Sequence, residues 1–385
     1  MCVAPLLLRF LNSAFYISHP PDWGGDERIF LTLLSRPAGR TTKKVVIVED
    51  SRVVRLWLRN TLEREPRLEV VGEAGDAAEA QRVIEATSPD VITLDIGMPG
   101  MDGLEFLKRL MKHCPTPVVM ISGSTGPNSH ASIEALYLGA IDCIEKPTAQ
   151  LEPGIGREIA RRVFAAAYCK VAPLPDQQDA ARSEASARPE PGLPIILVGA
   201  STGGVTALET LLGTLDPQGP PVVIVQHMPG AFLVSYTQQL NRKCAQDVAL
   251  VREGAALARG QVRLAPAMGQ HTALSHAQGL WLCGFSPAAP DTLHCPSVDH
   301  LFRSALPHAS DVIAVILTGL GKDGAAAMAD LRAAGAITFG QDAQTSAVYG
   351  MPRAAWEMGA VTRQLPLDKI GGAIQAVTNR RRRKG

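Results

Sequence analysis

The sequence predicts an α/β protein built from two mainly parallel, doubly wound sheets in tandem. Short apolar runs bounded by turn residues recur along the 385 residues, with stretches of helical character between them. This alternation is typical of parallel sheets whose strands are covered by helices on both faces. The runs that carry the pattern are residues 44–48, 91–94, 117–121 and 141–145, then 195–198, 222–225 and 313–317. The residues that follow these runs differ between the two halves of the chain, which indicates two chemistries.

The first half predicts a parallel sheet of five strands in the order 2-1-3-4-5. Its apolar runs are followed or ended by polar residues, namely Glu49 with Asp50, Asp95, Ser122 and Lys146. The carboxyl ends of parallel strands share one edge, so these side chains would meet there. Crowded carboxylates favour a divalent cation such as Mg²⁺, and the lysine and hydroxyl would pair with phosphoryl oxygens. A single polar residue after a strand is commonly a solvated loop residue. Five polar residues of these types, in this order along the chain, favour a site that binds a phosphoryl group.

A glycine-rich turn at residues 199–204 follows the first run of the second half. It predicts a strand, a sharp turn and a helix over residues 205–212, with Ser201 exposed at the edge of the sheet. Helix N–H groups beside that hydroxyl could stabilise an oxyanion. The Gly-x-Ser-x-Gly spacing fits a nucleophile elbow. By itself, however, the same pattern is equally typical of a turn that binds a phosphate or of a turn that binds nothing.

Two later strand ends favour a nucleophile. His227 comes just after the run at 222–225, and Asp323 lies in the loop after the run at 313–317. A serine needs a base to take its proton, and the base needs a carboxylate to orient it. Singly, His227 could be a strand-end histidine and Asp323 the N-cap of the next helix. Together with Ser201 they favour a triad, whose chain order Ser, His, Asp differs from that of ordinary α/β-hydrolases.

Residues 44–148 resemble a response-regulator receiver domain, a flavodoxin-like (βα)5 fold. The resemblance implies that Asp95 is the phosphorylated residue and that Ser122 and Lys146 are the switch residues. It also implies a Mg²⁺ site formed by Glu49, Asp50, Asp95 and the backbone carbonyl of Gly97.

With its second half, the chain resembles the chemotaxis protein-glutamate methylesterase family, CheB. Further matching motifs are residues 265–271, 296–299 and 341–352. The resemblance implies a C-terminal doubly wound, mainly parallel methylesterase domain. It implies Ser201, His227 and Asp323 as catalytic residues and the backbone N–H groups of Thr202 and Leu320 as oxyanion donors.

The same resemblance implies a function in chemotaxis-type adaptation. The enzyme would demethylate glutamate methyl esters on chemoreceptors, release methanol, and also deamidate glutamines. A CheA-type histidine kinase would donate the phosphoryl group and so relieve occlusion of the cleft by the receiver. The receiver would need Mg²⁺, whereas the esterase would need no cofactor.

Three positions depart from the family pattern. Cys143 stands where an aromatic switch residue is usual, which puts the coupling route in question. Leu320 replaces a methionine, a change that a backbone role tolerates. The segment at residues 266–271 is one residue longer than usual and ends at His271, which we expect to line the cleft without being catalytic.

Composition excludes several classes of protein. The net charge is +1, which indicates neither a nucleic-acid partner nor an acidic membrane surface, and the basic residues 380–384 are expected to be a solvated tail. The seven cysteines form no Cys-x-x-Cys pair, which suits reduced thiols in the cytoplasm. No apolar run approaches the length of a membrane span, so we expect a cytoplasmic protein without membrane insertion.

Composition also predicts the domain limits. The expected order is an N-terminal extension, a receiver, a linker, a methylesterase domain and a basic tail, at residues 1–42, 43–150, 151–192, 193–381 and 382–385. The extension is expected to be disordered or to come from a mis-assigned start, with a docking extension as the alternative. Helical spacing at residues 157–168 could continue the receiver, whereas residues 171–192 have the Pro-rich, Ser-rich and charged composition of a linker.

Three other functions remain as alternatives. A phosphorylation-dependent binding module with a vestigial esterase site is disfavoured by the presence of Ser201, His227 and Asp323 together. A transcription regulator would need a helix-turn-helix, whereas residues 193–380 show buried strands and glycine turns. A secreted esterase is disfavoured by the receiver pattern and by the lack of a recognisable leader.

Overall fold

The computed structural model describes residues 42–123, 127–146, 155–169, 171, 188–288 and 294–382. The expectations for the N-terminal extension, for most of the linker and for the end of the basic tail fall on residues outside these ranges.

The first sheet has five parallel strands in the order β2-β1-β3-β4-β5, as the sequence predicts. The strands are β1 (Lys43–Val48), β2 (Leu68–Ala74), β3 (Val91–Asp95), β4 (Val118–Ser122) and β5 (Asp142–Glu145). The helices are α1 (Arg52–Leu62), α2 (Ala77–Thr87), α3 (Gly103–His113), α4 (Pro127–Tyr137) and α5 (Ile155–Ala166). Asp76 and Asp102 cap α2 and α3 by accepting a backbone N–H at 2.8 and 2.9 Å, which stabilises a helix start by about 1 kcal/mol.

Helix α5 lies inside the stretch that the sequence assigns to the linker. Its residues Ile159, Val163 and Phe164 are buried, and the helix packs on α1 and on the strands β3, β4 and β5. The helical spacing therefore corresponds to a receiver helix, because the apolar face of α5 covers one side of the first sheet.

The second sheet has seven parallel strands in the order β14-β13-β12-β6-β7-β9-β8, which confirms the doubly wound, mainly parallel prediction. Its first strands are β6 (Ile195–Ala200), β7 (Val222–Gln226), β8 (Asp247–Leu250) and β9 (Gln261–Leu264). A separate antiparallel hairpin follows, made of β10 (Gln270–Ala277) and β11 (Leu280–Pro287). The sheet is completed by β12 (Val312–Ile316), β13 (Ile337–Gln341) and β14 (Arg363–Leu365).

Helices cover both faces of this second sheet. They are α6 (Gly204–Thr214), α7 (Gly230–Lys243), α8 (Val298–Ser304), α9 (Ala325–Ala333), α10 (Met351–Glu357) and α11 (Leu367–Arg382), with a 3₁₀ helix at Leu306–Asp311. The central strands β6, β7 and β12 are buried along their whole length. The strand order reverses between β6 and β12, and ligands of open α/β sheets bind at the carboxyl ends of strands near such a reversal.

The two sheets belong to one compact unit. Helix α4 of the first sheet packs against α6 and α7 of the second. The Lys243 ammonium lies 3.5 Å from the centre of the Tyr137 ring and 3.1 Å from a Glu209 oxygen. Cys169 donates a hydrogen bond to the carbonyl of Ala347 at 3.2 Å. These contacts join the receiver to the side of the second sheet that carries the candidate triad.

None of the helices in the described ranges combines the length and the apolar character needed to cross a bilayer.

Candidate active site

Ser201 occupies a tight turn between β6 and α6. Its N–H donates to the Thr318 carbonyl at 3.0 Å, and its carbonyl accepts the Gly204 N–H at 2.7 Å. Gly203 has a φ of +76°, which favours glycine. A side chain at Gly319 would bring its Cβ within 2.7 Å of the Ser201 Cβ. Glycine is therefore required on both sides of the serine, once for conformation and once for close approach.

Gln226 fixes the serine turn to the neighbouring strand. Its Nε2 donates to the carbonyl of Ser201 at 2.9 Å and to that of His227 at 3.1 Å. One buried side chain thus links the backbones of two candidate catalytic residues. Gln226 could not be recognised from the sequence, because a glutamine at the end of an apolar run carries no distinctive signal.

Asp323 is the carboxylate that faces His227. Its Oδ2 lies 2.9 Å from His227 Nε2. It also accepts the Ser297 hydroxyl at 2.9 Å and the N–H groups of Val298 and Asp299 at 2.7 and 2.9 Å, all from the start of α8. Burial by itself would raise the pKa of Asp323, but the hydrogen bonds from His227, Asp299 and Val298 hold that pKa well below its usual range. Asp323 is therefore ionised.

The ionised carboxylate determines which ring nitrogen of His227 is the hydrogen-bond donor. Because Asp323 can only accept, His227 Nε2 carries a proton, which leaves the lone pair of the neutral ring on Nδ1. This Nδ1 is buried and has no hydrogen-bond partner within the described residues. Ser201 and His227 line the same cleft, although no hydrogen bond joins them there. Catalytic hydrogen bonds are often long or poorly aligned without substrate, so the lack of this bond is compatible with a nucleophile and its base.

Further histidines surround the pair. The His294 ring stacks on His227, with ring centres 4.3 Å apart and planes at 18°. His271, expected to line the cleft, is only 3% exposed and accepts the Ser297 N–H at 3.1 Å through Nδ1. It also stacks on His300, and burial lowers the pKa of both rings. His271 therefore supports the segment that holds Asp323 rather than forming the cleft wall.

The two expected oxyanion donors have available N–H groups. Neither the N–H of Thr202 nor that of Leu320 donates to an acceptor in the described part of the chain. The Thr202 hydroxyl, in contrast, donates to Asp142 Oδ2 at 3.1 Å. The residue after the candidate nucleophile is thus bonded directly to strand β5 of the first sheet.

Asp142 and its neighbours close one side of the cleft. The cleft is lined by Ser201, His227 and Met228 on one side and by Asp142 and Arg162 on the other. Arg162 binds both oxygens of Asp142 and donates to the Cys143 carbonyl at 3.0 Å. The cleft that contains Ser201 and His227 is therefore shared between the two sheets.

A second site lies at the carboxyl edge of the first sheet. Carboxylate oxygens of Glu49, Asp50 and Asp95 lie within 4.8 Å of one another. Lys146 Nζ lies 2.9 Å from Glu49 Oε2 and 2.9 Å from Asp95 Oδ2. Burial and the nearby Asp95 raise the pKa of Glu49 to about 7, although Lys146 opposes the shift. Three converging carboxylates, one of them exposed, form a donor set that fits Mg²⁺.

The remaining predicted receiver residues border this site. A Cβ at Gly97 would lie 4.0 Å from Asp95 Oδ2, so the backbone there passes close to the carboxylate. Ser122 is buried at the end of β4, and its carbonyl accepts the Lys146 N–H at 2.6 Å. The structure thus brings the predicted acidic, hydroxyl and ammonium groups to one edge of the sheet.

The fold and the two sites define a class of protein: a response regulator with an α/β effector domain. A family model described as CheB methylesterase matches residues 196–374, and one described as response regulator receiver domain matches residues 45–152.

Curated relatives give the particular family. The chain is 42% identical over 351 residues to a protein-glutamate methylesterase/protein-glutamine glutaminase of Agrobacterium fabrum, covering 88% of this chain and 97% of the relative. It is 40% identical over 343 residues to one from Caulobacter vibrioides, covering 88% and 99%. The Thermotoga maritima CheB methylesterase catalytic domain is similar at 30% identity and a TM-score of 0.46, covering 48% of this chain and 98% of that one. The chain belongs to the CheB family of protein-glutamate methylesterases.

Proposed function

We propose that the chain hydrolyses methyl esters of glutamate side chains on chemoreceptors, releases methanol, and deamidates glutamine side chains by the same route. The observation that carries this proposal is the 2.9 Å contact between His227 and Asp323, together with the cleft that His227 and Ser201 both line. The names of the curated relatives supply the substrate class.

The first half of the reaction forms an acyl-enzyme. Ser201 Oγ attacks the ester carbonyl carbon while His227 Nδ1 takes the hydroxyl proton. Asp323 stays ionised and stabilises the imidazolium. The carbonyl oxygen becomes an oxyanion held by the N–H groups of Thr202 and Leu320, an interaction worth about 3–4 kcal/mol per donor in a studied protease. The C–O bond to the methoxy group then breaks, and the leaving oxygen takes the proton from His227 as methanol departs.

The second half regenerates the enzyme. A water molecule gives a proton to His227 Nδ1 and attacks the glutamyl–Ser201 ester. The bond to Ser201 Oγ breaks, Oγ takes the proton from His227, and the glutamate side chain leaves as a carboxylic acid that ionises in water. With a glutamine substrate, ammonia is the first leaving group and the remaining steps are the same.

The receiver site supplies the phosphorylation switch in this proposal. Asp95 accepts a phosphoryl group from a CheA-type histidine kinase, and Lys146 and Ser122 then pair with its oxygens. Glu49, Asp50, Asp95 and the Gly97 carbonyl would hold Mg²⁺. When bound, Mg²⁺ neutralises part of the negative charge that the phosphoryl group and the carboxylates bring together.

The contacts between the sheets support inhibition by occlusion. Asp142 and Lys146 lie on and just after β5, so a movement of Lys146 toward a phosphoryl group also displaces the strand that bonds Thr202. Such a movement breaks the Thr202–Asp142 bond and opens the cleft to a receptor segment. Phosphorylation thereby increases esterase activity.

Methanol release from methylated receptor membranes tests the enzymatic part. Ser201→Ala should remove turnover while the melting curve stays unchanged, because only the nucleophilic oxygen is lost. Ser275→Ala is the matched control, since Ser275 is an exposed serine on β10 of the same domain. Methanol release by the Ser201→Ala variant at the wild-type rate would rule out Ser201 as the nucleophile.

A further inference from the structure

We infer that His294 is a positioning residue that fixes the plane of the His227 ring through face-to-face stacking. The inference rests on the proposed esterase function, because it assigns His294 a part in the same site. No motif in the sequence separates His294 from the other histidines of the chain.

The stacking of His294 on His227 restricts a rotation of the His227 ring that the hydrogen bond to Asp323 does not restrict. The bond from His227 Nε2 to Asp323 fixes one corner of the ring at 2.9 Å. It does not fix the tilt of the ring about that corner, and this tilt decides where Nδ1 points. His294 lies against the ring face at a centre-to-centre distance of 4.3 Å and an angle of 18°. A flat neighbour at this distance allows one tilt and excludes others by steric contact.

The position of His294 in the chain also connects it to Asp323. His294 lies three residues before Ser297, in the same stretch of chain that holds the carboxylate partner of His227. Ser297, Val298 and Asp299 donate to Asp323 at 2.9, 2.7 and 2.9 Å. One segment thus contacts both members of the hydrogen-bonded pair, so the ring plane and the carboxylate are set together.

Stacking should matter most for the chemical step. Nδ1 must point at the serine hydroxyl when the proton is transferred, and a misplacement of about 1 Å at such a point can cost about 100-fold in rate. Binding of the receptor segment does not depend on this angle. The loss of the stacked ring should therefore lower kcat and leave KM largely unchanged.

The experiment compares two replacements of His294 in the full chain, with Mg²⁺ and a small phosphodonor present. His294→Leu keeps an apolar side chain without a ring, and His294→Phe keeps a flat ring. We expect His294→Leu to lower kcat for methanol release by about 10- to 100-fold. His294→Phe should restore kcat to within about threefold of the wild type, with KM within about twofold in both variants. His276→Leu is the control, because it removes a ring that contacts His308 and Trp281 instead of His227.

A second measurement does not depend on turnover. The proton on His227 Nε2, bonded to Asp323, should give a slowly exchanging imidazole signal by NMR in the wild type and in His294→Phe. In His294→Leu this signal should broaden or disappear. If His294→Leu does not fold, as judged by its melting curve, His294→Ala takes its place in both measurements.

The outcomes separate the inference from the function on which it rests. If the wild type is active, the positioning role is overturned by either of two results. One is a wild-type kcat in His294→Leu, and the other is an equal loss of kcat in His294→Leu and His294→Phe. A wild type without methanol release overturns the proposed function. In that case the NMR signal still decides whether His294 orders the His227 ring.

Discussion

Asp323 receives four hydrogen bonds, from His227, Ser297, Val298 and Asp299. Three of the donors come from the start of α8, where the helix dipole also favours a negative charge. The carboxylate is therefore held in one orientation before substrate binds. The fixed carboxylate therefore orients the His227 ring, and the ring does not orient the carboxylate.

Neutralising this carboxylate should impair catalysis more than folding. Asp323→Asn replaces an acceptor-only group by an amide that can donate to His227 and so favour the wrong tautomer. We expect kcat for methanol release to fall by about 10²- to 10⁴-fold. Asp330→Asn, a largely exposed change on α9, is the control. A near-normal kcat in Asp323→Asn would contradict the assigned orientation of the histidine.

Glu49 makes the stability of the receiver depend on pH. Its pKa rises from 4.5 to about 7 on folding, so the folded chain binds more protons than the unfolded chain between these values. The free energy of unfolding should therefore fall as pH rises through this window. Mg²⁺ favours the ionised carboxylate and should offset the loss.

Thermal melts test this linkage. Saturating Mg²⁺ should raise Tm more at about pH 8 than at about pH 6, because at the lower pH protons compete for Glu49. In Glu49→Gln the rise of Tm that Mg²⁺ causes should depend less on pH than in the wild type. An equal rise of Tm at both pH values in the wild type would show that Glu49 is not a ligand.

At the scale of elements, α4 and α7 form the main contact between the two sheets. Lys243 on α7 lies over the Tyr137 ring of α4 and pairs with Glu209 of α6. Its side chain is only 10% exposed, so the cation is partly shielded from water and its contacts are stronger than at an open surface. This three-residue contact lies outside the cleft and can be weakened without altering the triad.

Lys243→Met should therefore raise basal activity. The change keeps the aliphatic stem and removes the charge that joins the two elements. A loss of about 0.5–2 kcal/mol of cation–π energy corresponds to about a 2- to 30-fold rise in unstimulated methanol release, provided that opening limits the rate. Lys369→Met, a change of an exposed lysine on α11, is the control. Unchanged basal release would indicate that α4 does not hold the cleft closed.

The elements also show which parts of the fold the sequence could predict. The central strands are apolar on both faces, so runs such as residues 195–198 and 313–317 were visible. The predicted order 2-1-3-4-5 requires β2, but its position was not identified, because it lies at the edge of its sheet and includes Glu69 and Glu73. The β10–β11 hairpin was also not found, because its residues alternate in burial instead of forming one apolar run.

Some residues of the candidate active site could likewise be predicted from the sequence, and others could not. Ser201, His227 and Asp323 could be singled out because each follows a recognisable strand, and their roles stay predictions until they are tested. Gln226 and His294 could not be, because their importance depends on contacts between side chains from separate elements. Residues 296–299 match a family motif, but the sequence does not show why these residues are needed. The structure does, because residues of this segment donate hydrogen bonds to Asp323.

At the scale of the whole molecule, the first sheet contacts the second beside the cleft that contains Ser201 and His227. Residues at the carboxyl edge of the second sheet line the cleft with Ser201, and β5 of the first sheet covers them through Asp142. The Asp95–Lys146 pair lies at the other end of the same short strand. The candidate phosphorylation site and the candidate esterase site therefore lie at opposite ends of β5, the strand through which we propose that they are coupled.

We propose that phosphorylation of the receiver controls an esterase in the same chain. The most direct test is methanol release from methylated receptor membranes with Mg²⁺, measured before and after a small phosphodonor is added. We expect release to rise with the phosphodonor in the wild type and the rise to vanish in Asp95→Asn. Release that the phosphodonor does not change would contradict the coupling through β5, and no release in either state would contradict the esterase itself and favour a non-catalytic binding module.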